Sequence, residues 1–88
     1  MSIEHLTAQS QEYYNNAIEA MKKNDYYHIV VNLRNAADCQ RKLAEISSDV
    51  VAKYQHFKYA QSYMESARKW EENHPEAFVA TSLYDEKR

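Results

Sequence analysis

Not one of the 88 residues is glycine, and proline occurs once, at Pro75. Those two facts restrict the fold more than any motif in the chain. Tight hairpin turns lean on glycine at positive φ, so a sheet would have little to turn with. Helices need only short polar breaks between them. Asn24-Asp25 and Ser47-Ser48-Asp49 are two such breaks, both rich in capping residues. The expectation is an all-α chain of three long helices.

The first run extends from Ile3 to about Lys23, with Ser2 as its cap and Glu4 favouring the helix dipole. At about 100° per residue, Ile3, Leu6, Ser10, Tyr13, Tyr14, Ala17 and Met21 share an arc of about 100°. The second run, Tyr26 to about Ile46, follows Asp25 and has a wider apolar set. Tyr26, Ile29, Val30, Leu33, Ala36, Ala37, Cys39, Leu43, Ala44 and Ile46 span roughly 200°. A helix apolar on two adjacent faces belongs in the middle, touching two neighbours. Arg34 with Asp38, and Arg41 with Glu45, are spaced as i,i+4 surface pairs.

The third run goes from Val50 to about Glu72, ended by Asn73 and Pro75. Short links make neighbours antiparallel. Residues 1–73 are therefore expected to form an antiparallel three-helix bundle, up-down-up, with 74–88 a tail or the start of a linker. Ala77 to Ala80 could add a helical turn or pack loosely. Measured from Tyr63, the residues Ala52, His56, Tyr59, Ala60, Ala67 and Trp70 lie within about 60° and form the expected core line. A second apolar stripe, about 140° away, holds Val50, Tyr54, Phe57 and Met64, with Gln61 and Arg68 between them. One neighbouring helix does not need both stripes.

Charge narrows the function. The formal net charge is −2, with acids and bases interspersed. That leaves no basic face for nucleic acid or anionic lipid. No apolar run approaches the ~18 residues of a membrane span, so no stable membrane insertion is expected. The N-terminus lacks the charged start and apolar block of a signal peptide. Cys39 is the only cysteine, which leaves no disulfide framework and points to a cytoplasmic setting.

Catalytic patterns are incomplete. Glu71-x-x-His74 has the spacing of half a di-iron carboxylate site, but there is no second copy. Arg68 and His74 are spaced as in the RNA-cleaving motif of HEPN domains, but Lys69 stands where those domains tend to have a polar amide. His56 reads as a neutral core imidazole bonded to a tyrosine or the backbone, and Cys39 as a small core filler. Eight tyrosines without a basic groove read as packed rings rather than base-stacking platforms. The chain is expected to be non-catalytic, with no metal or cofactor.

The second stripe suits a groove beside the third helix that accepts a short amphipathic helix or an extended tail. Two segments carry a family resemblance. Ala17-Ile18-Glu19-Ala20-Met21-Lys22-Lys23-Asn24-Asp25-Tyr26, followed by Leu33 and Ala36, resembles the helix 1 end, turn and helix 2 start of the MIT (microtubule-interacting and trafficking) domain. Tyr63-Met64-Glu65-Ser66-Ala67-Arg68-Lys69-Trp70 resembles that family's Tyr-Leu-x-Arg-Ala-Glu-x-Leu near the end of helix 3. The similarity covers residues 3–72. Departures fall at Met21, Ile29, Ser66 and Arg68; Arg68 stands in place of Glu and reverses a charge on the groove rim.

The resemblance implies a peptide-binding module that takes a short C-terminal motif of a protein partner. Such modules commonly precede AAA ATPases that act on ESCRT-III filaments, which would place an ATPase domain beyond residue 88. Met64 matches the groove-lining apolar position, and Glu65 and Arg68 match the rim. Tyr54, Phe57 and Gln61 extend the strip, and Ala37, Gln40 and Arg41 are the expected opposite wall. The alternative expectation is a structural homo-oligomerisation bundle, with the second stripe buried against a copy of itself.

Overall fold

The computed structural model describes residues 2–78, organised as α1 (Ile3–Lys22), α2 (Tyr26–Ile46) and α3 (Val50–Asn73). Among the described residues there is no strand. α1 and α2 begin at their expected caps, and α3 at the last of the three capping residues in its break. Ser2 Oγ accepts from the His5 N–H at 3.1 Å, the Asp25 carboxylate from the His28 N–H at 3.4 Å, and the Asp49 carboxylate from the Ala52 N–H at 3.0 Å. Each bond satisfies an amide that a helix start leaves without a partner.

Asn24 solves the problem set by the missing glycines. It takes a φ of 56°, the one positive value among the described residues. Asparagine enters this left-handed region more readily than other side chains. The Asp25 N–H then donates to Ala20 O at 2.9 Å and the Asn24 N–H to Met21 O at 3.2 Å, the paired bonds of a Schellman motif. Asp25 thus closes α1 with its backbone and opens α2 with its side chain.

α2 packs against both α1 and α3, while α1 and α3 touch sparsely. Ile29, Val30, Leu33, Ala36, Ala37, Leu43 and Ala44 are each no more than 2% exposed, so both faces of the wide apolar arc are covered. Cys39 is buried as well, and burial pushes its thiol above the ordinary value more than Lys42 pulls it down. It is a protonated core filler.

Partner positions run in opposite directions along each helix pair. Ser10 of α1 meets Gln40 of α2, while Ala17 and Ala20 cluster with Ile29, Val30 and Leu33. Lys53 of α3 reaches Ala44 and His56 reaches Gln40, while Trp70 and His74 stack with Tyr26. Aromatic rings bridge α1 to α3: Tyr14 stacks on Tyr63 at 5.4 Å.

α3 buries only Ala60 and Ala67 fully. Its true core line passes through those two alanines, about 45° from Tyr63 toward Met64. Tyr59, expected on the core line, is about 85° from that axis and is 56% exposed. Ile3 and Ile46, counted in the apolar arcs of α1 and α2, are also exposed, because each is the terminal residue of its helix.

Packing continues past the expected boundary at residue 73. The His74 ring lies flat on Tyr26, with centroids 3.6 Å apart and planes 7° from parallel. A further helical turn, with Phe78 N–H donating to Pro75 O at 3.0 Å, brings Phe78 onto the core cluster near Tyr27. His74 to Phe78 therefore belong to the bundle. The rest of the expected tail, from Val79 onward, lies outside the described residues.

Two measurements check this core. Leu33→Ala removes a side chain that is 2% exposed and should cost about 2–5 kcal/mol, seen as a lower urea midpoint at unchanged slope. Tyr63 supplies a pH signature. Burial, then Tyr14 and Tyr59, push its hydroxyl above the ordinary 10.0. The folded state therefore holds that proton more tightly than the unfolded chain does. The stability it contributes is intact below about pH 10 and is lost as pH rises through the folded value. Denaturant midpoints should fall on the alkaline side of about pH 10, and less steeply in Tyr63→Phe.

Candidate functional site

Because α3 meets α2 through small residues, its larger side chains flank the seam instead of filling it. Phe57, Ala60, Gln61 and Met64 line a concavity of about 460 Å³, closed on the α2 side by Arg41. A second concavity of about 420 Å³ is lined by Arg34 of α2 and by Gln61, Met64, Glu65, Arg68 and Glu71 of α3. Gln61 and Met64 belong to both, so the two make one trough along the α2–α3 seam. Phe57 is 47% and Met64 37% exposed, and Ala60 lies buried between them. Of the expected binding residues, Arg41, Phe57, Gln61, Met64, Glu65 and Arg68 are brought together here.

The charges on the rim are arranged differently from the sequence expectation. Arg34 does not pair with Asp38; it crosses the seam to Glu71 at 2.8 Å. Arg41 approaches Asp38 at 3.8 Å instead of Glu45. The i,i+4 order with the base first is the weaker one on a helix, so a partner on the facing helix wins for Arg34. Arg68 pairs with Glu72 at 3.1 Å. All three pairs are at least one-third exposed and therefore screened, worth roughly 0–1 kcal/mol each. Among the described residues no cation pairs with Glu65. The trough is an apolar floor between charges that can change partners at little cost.

Three expected residues fall elsewhere. Ala37 has no exposed surface and cannot form a groove wall. Gln40 is occupied: its Oε1 faces His56 Nδ1 at 2.7 Å, and its Nε2 donates to Ser10 Oγ at 2.8 Å. This brace joins all three helices and gives the imidazole a side-chain amide in place of the expected tyrosine or backbone partner. Tyr54 lines a separate concavity of about 350 Å³ with Gln55, Lys58, Tyr59 and Ser62. Conversely, Arg34 and Glu71 belong to the trough, and nothing in the spacing along a single helix marks them.

The residues of the incomplete catalytic patterns are engaged in structure. Arg68 is tied to Glu72, and His74 is stacked on Tyr26 and Trp70 with Glu76 at 3.7 Å from its Nδ1. Among the described residues no three His, Cys, Asp or Glu side chains converge as a metal would require. No helix among them is long and apolar enough to cross a membrane. No protein-family model, curated protein or solved structure matches the chain.

The Gln40 brace is open to test. Ser10 is 2% exposed, so Gln40→Leu strands its hydroxyl and should cost about 1–3 kcal/mol in urea denaturation. Adding Ser10→Ala should restore the part of that loss due to the stranded hydroxyl, and the remainder should persist because His56 Nδ1 still lacks its amide partner.

Proposed function

We propose that the chain is an MIT-like recruitment module. In this reading it is an antiparallel, up-down-up bundle that binds a short C-terminal tail motif of a protein partner. It delivers that partner to an attached machine, an AAA ATPase, in the cytoplasm. The module itself is non-catalytic and uses no cofactor.

The observation that carries the reading is the trough. Phe57 and Met64 are exposed over buried Ala60, with Arg34, Arg41, Glu65, Arg68 and Glu71 along the rim. Such a strip suits an amphipathic helix that sets apolar residues at i and i+3 or i+4 into the floor and charges along the edges. The opposed order of contacts in both helix pairs supports the up-down-up arrangement.

The family reading draws support from where its two segments lie. Ala17 to Tyr26 spans the Asn24 turn. In Tyr63 to Trp70, Tyr63, Ala67 and Trp70 pack inward, while Met64, Glu65 and Arg68 line the trough. The cation at Arg68, with Arg41 farther along, favours a tail bearing carboxylates.

Titrating a panel of amphipathic, acidic C-terminal tail peptides while recording amide shifts tests the proposal. Shifts should cluster at Arg34, Arg41 and Phe57 to Arg68. Met64→Asp should weaken binding about 10-fold or more with helicity unchanged, since a charge replaces an apolar contact at the floor. Absence of binding at millimolar peptide, or shifts centred away from the seam, would overturn the reading.

A further inference from the structure

The chain leaves the bundle at one end of the trough. Tyr27, Arg34 and Arg41 of α2 recur every seven residues, so they fall within about 40° on one line of that helix. Arg34 and Arg41 wall the trough, and Tyr27 stands about 10 Å before Arg34 on the same line. The Phe78 ring packs beside Tyr27, with centroids 6.0 Å apart. Residues 79–88 therefore start at the head of the line that walls the trough.

Their length fits the distance. At 1.5 Å per residue, Arg41 lies about 21 Å beyond Tyr27. Met64 and Phe57 are at the same level, since they line one concavity with Arg41. Residues 79–88 in extended form reach up to about 33 Å. Leu83 and Tyr84 then come about 17–20 Å past Phe78, over the apolar floor. Asp85 and Glu86 come about 23–26 Å past it, beside Arg41.

Their chemistry fits as well. An apolar pair followed by two carboxylates matches an apolar floor followed by a cation. The present contact of Arg41, with Asp38 at 3.8 Å, is exposed and weak, so a new carboxylate displaces it at little cost. Lys87 and Arg88 leave the segment with no net charge, so the match is local and does not depend on long-range attraction. We propose that residues 79–88 lie back along the trough of their own chain, with Leu83 and Tyr84 on its floor and Asp85 and Glu86 at Arg41. The trough is then held by its own chain until a partner displaces it. The inference rests on the trough being the tail-binding site proposed above, and adds what regulates that site. A tethered segment meets the site at an effective concentration of about 1 mM, enough to compete with a weakly bound tail.

A nitroxide spin label on the whole chain tests the contact without any partner. It is carried by Arg88→Cys in a Cys39→Ala background. Amides at Arg41, Glu45 and Phe57 should broaden, while those around Ser10, level with Gln40 but on α1, are spared. The broadening should persist on dilution, as an intramolecular contact does, and disappear on adding Leu83→Asp/Tyr84→Asp. The unlabelled Leu83→Asp/Tyr84→Asp chain should bind the acidic tail peptides about 3-fold or more tighter than the wild type. Broadening spread evenly over the three helices would overturn the inference. So would broadening that fades on dilution, which marks a contact between copies, or peptide affinity unchanged in the double variant. If the trough amides broaden yet no peptide binds at either sequence, the recruitment reading fails while the self-contact stands.

Discussion

The molecule depends on one helix being buried along two faces. Among the described residues α2 is the only helix with extensive contacts on both others, and its seven most sealed apolar residues lie on its wide apolar arc. A helix sealed on that much of its circumference has only a narrow wet side, and the polar groups near its seams need partners on neighbouring helices. Gln40 shows how this is met. It faces α1 through Ser10 and α3 through His56, so one amide satisfies groups on both neighbours. A buried polar network is costly when half made and orienting when complete, and this one fixes how the outer helices sit on the central one.

The trough follows from residue size. The fully buried residues of α3 are both alanines, Ala60 and Ala67, set against Ala36, Ala37 and Ala44 among the buried residues of α2. Small side chains let helix axes come close. Bulky neighbours one step round the helix then have no room in the contact and are displaced to its edges. Phe57 and Met64 are apolar and exposed because the contact beside them is made of alanines. The same rule places Tyr54 and Tyr59 on the open side of α3.

Much of this was legible in the sequence, and the misses share a cause. Ser2 and Asp25 cap the helices they were expected to cap, and Asp49, the last of the three capping residues in the second break, caps α3, because capping is local chemistry. The wide arc of α2 marked it as central, since burial on two faces leaves a pattern in composition. Tyr59 was misread because the core line of α3 was centred on Tyr63, whereas the packed line is centred on Ala60 and Ala67. Ala37 and Gln40 were assigned to an outer wall, because one helix alone does not show which part of a wide arc lies beneath a neighbour. Arg34 with Glu71 was invisible for the same reason: the pair spans two helices, and spacing along one cannot reveal it. Phe78 lay beyond the last periodic run, so only the folded chain shows it packed.

The order of contacts also bears on how the chain gets to this structure. Nearly all packing is between helices adjacent in sequence, and the link between the first two turns at a single left-handed asparagine. The chain has few distant segments to bring together before contacts reward the lost entropy of closing a loop. Helical bundles of this low contact order fold in roughly microseconds to milliseconds. Either helix pair, α1–α2 or α2–α3, can form first on the shared middle helix, so the search has two starting points. The Tyr14–Tyr63 stack needs residues from the first and last helices, which makes it the natural last step.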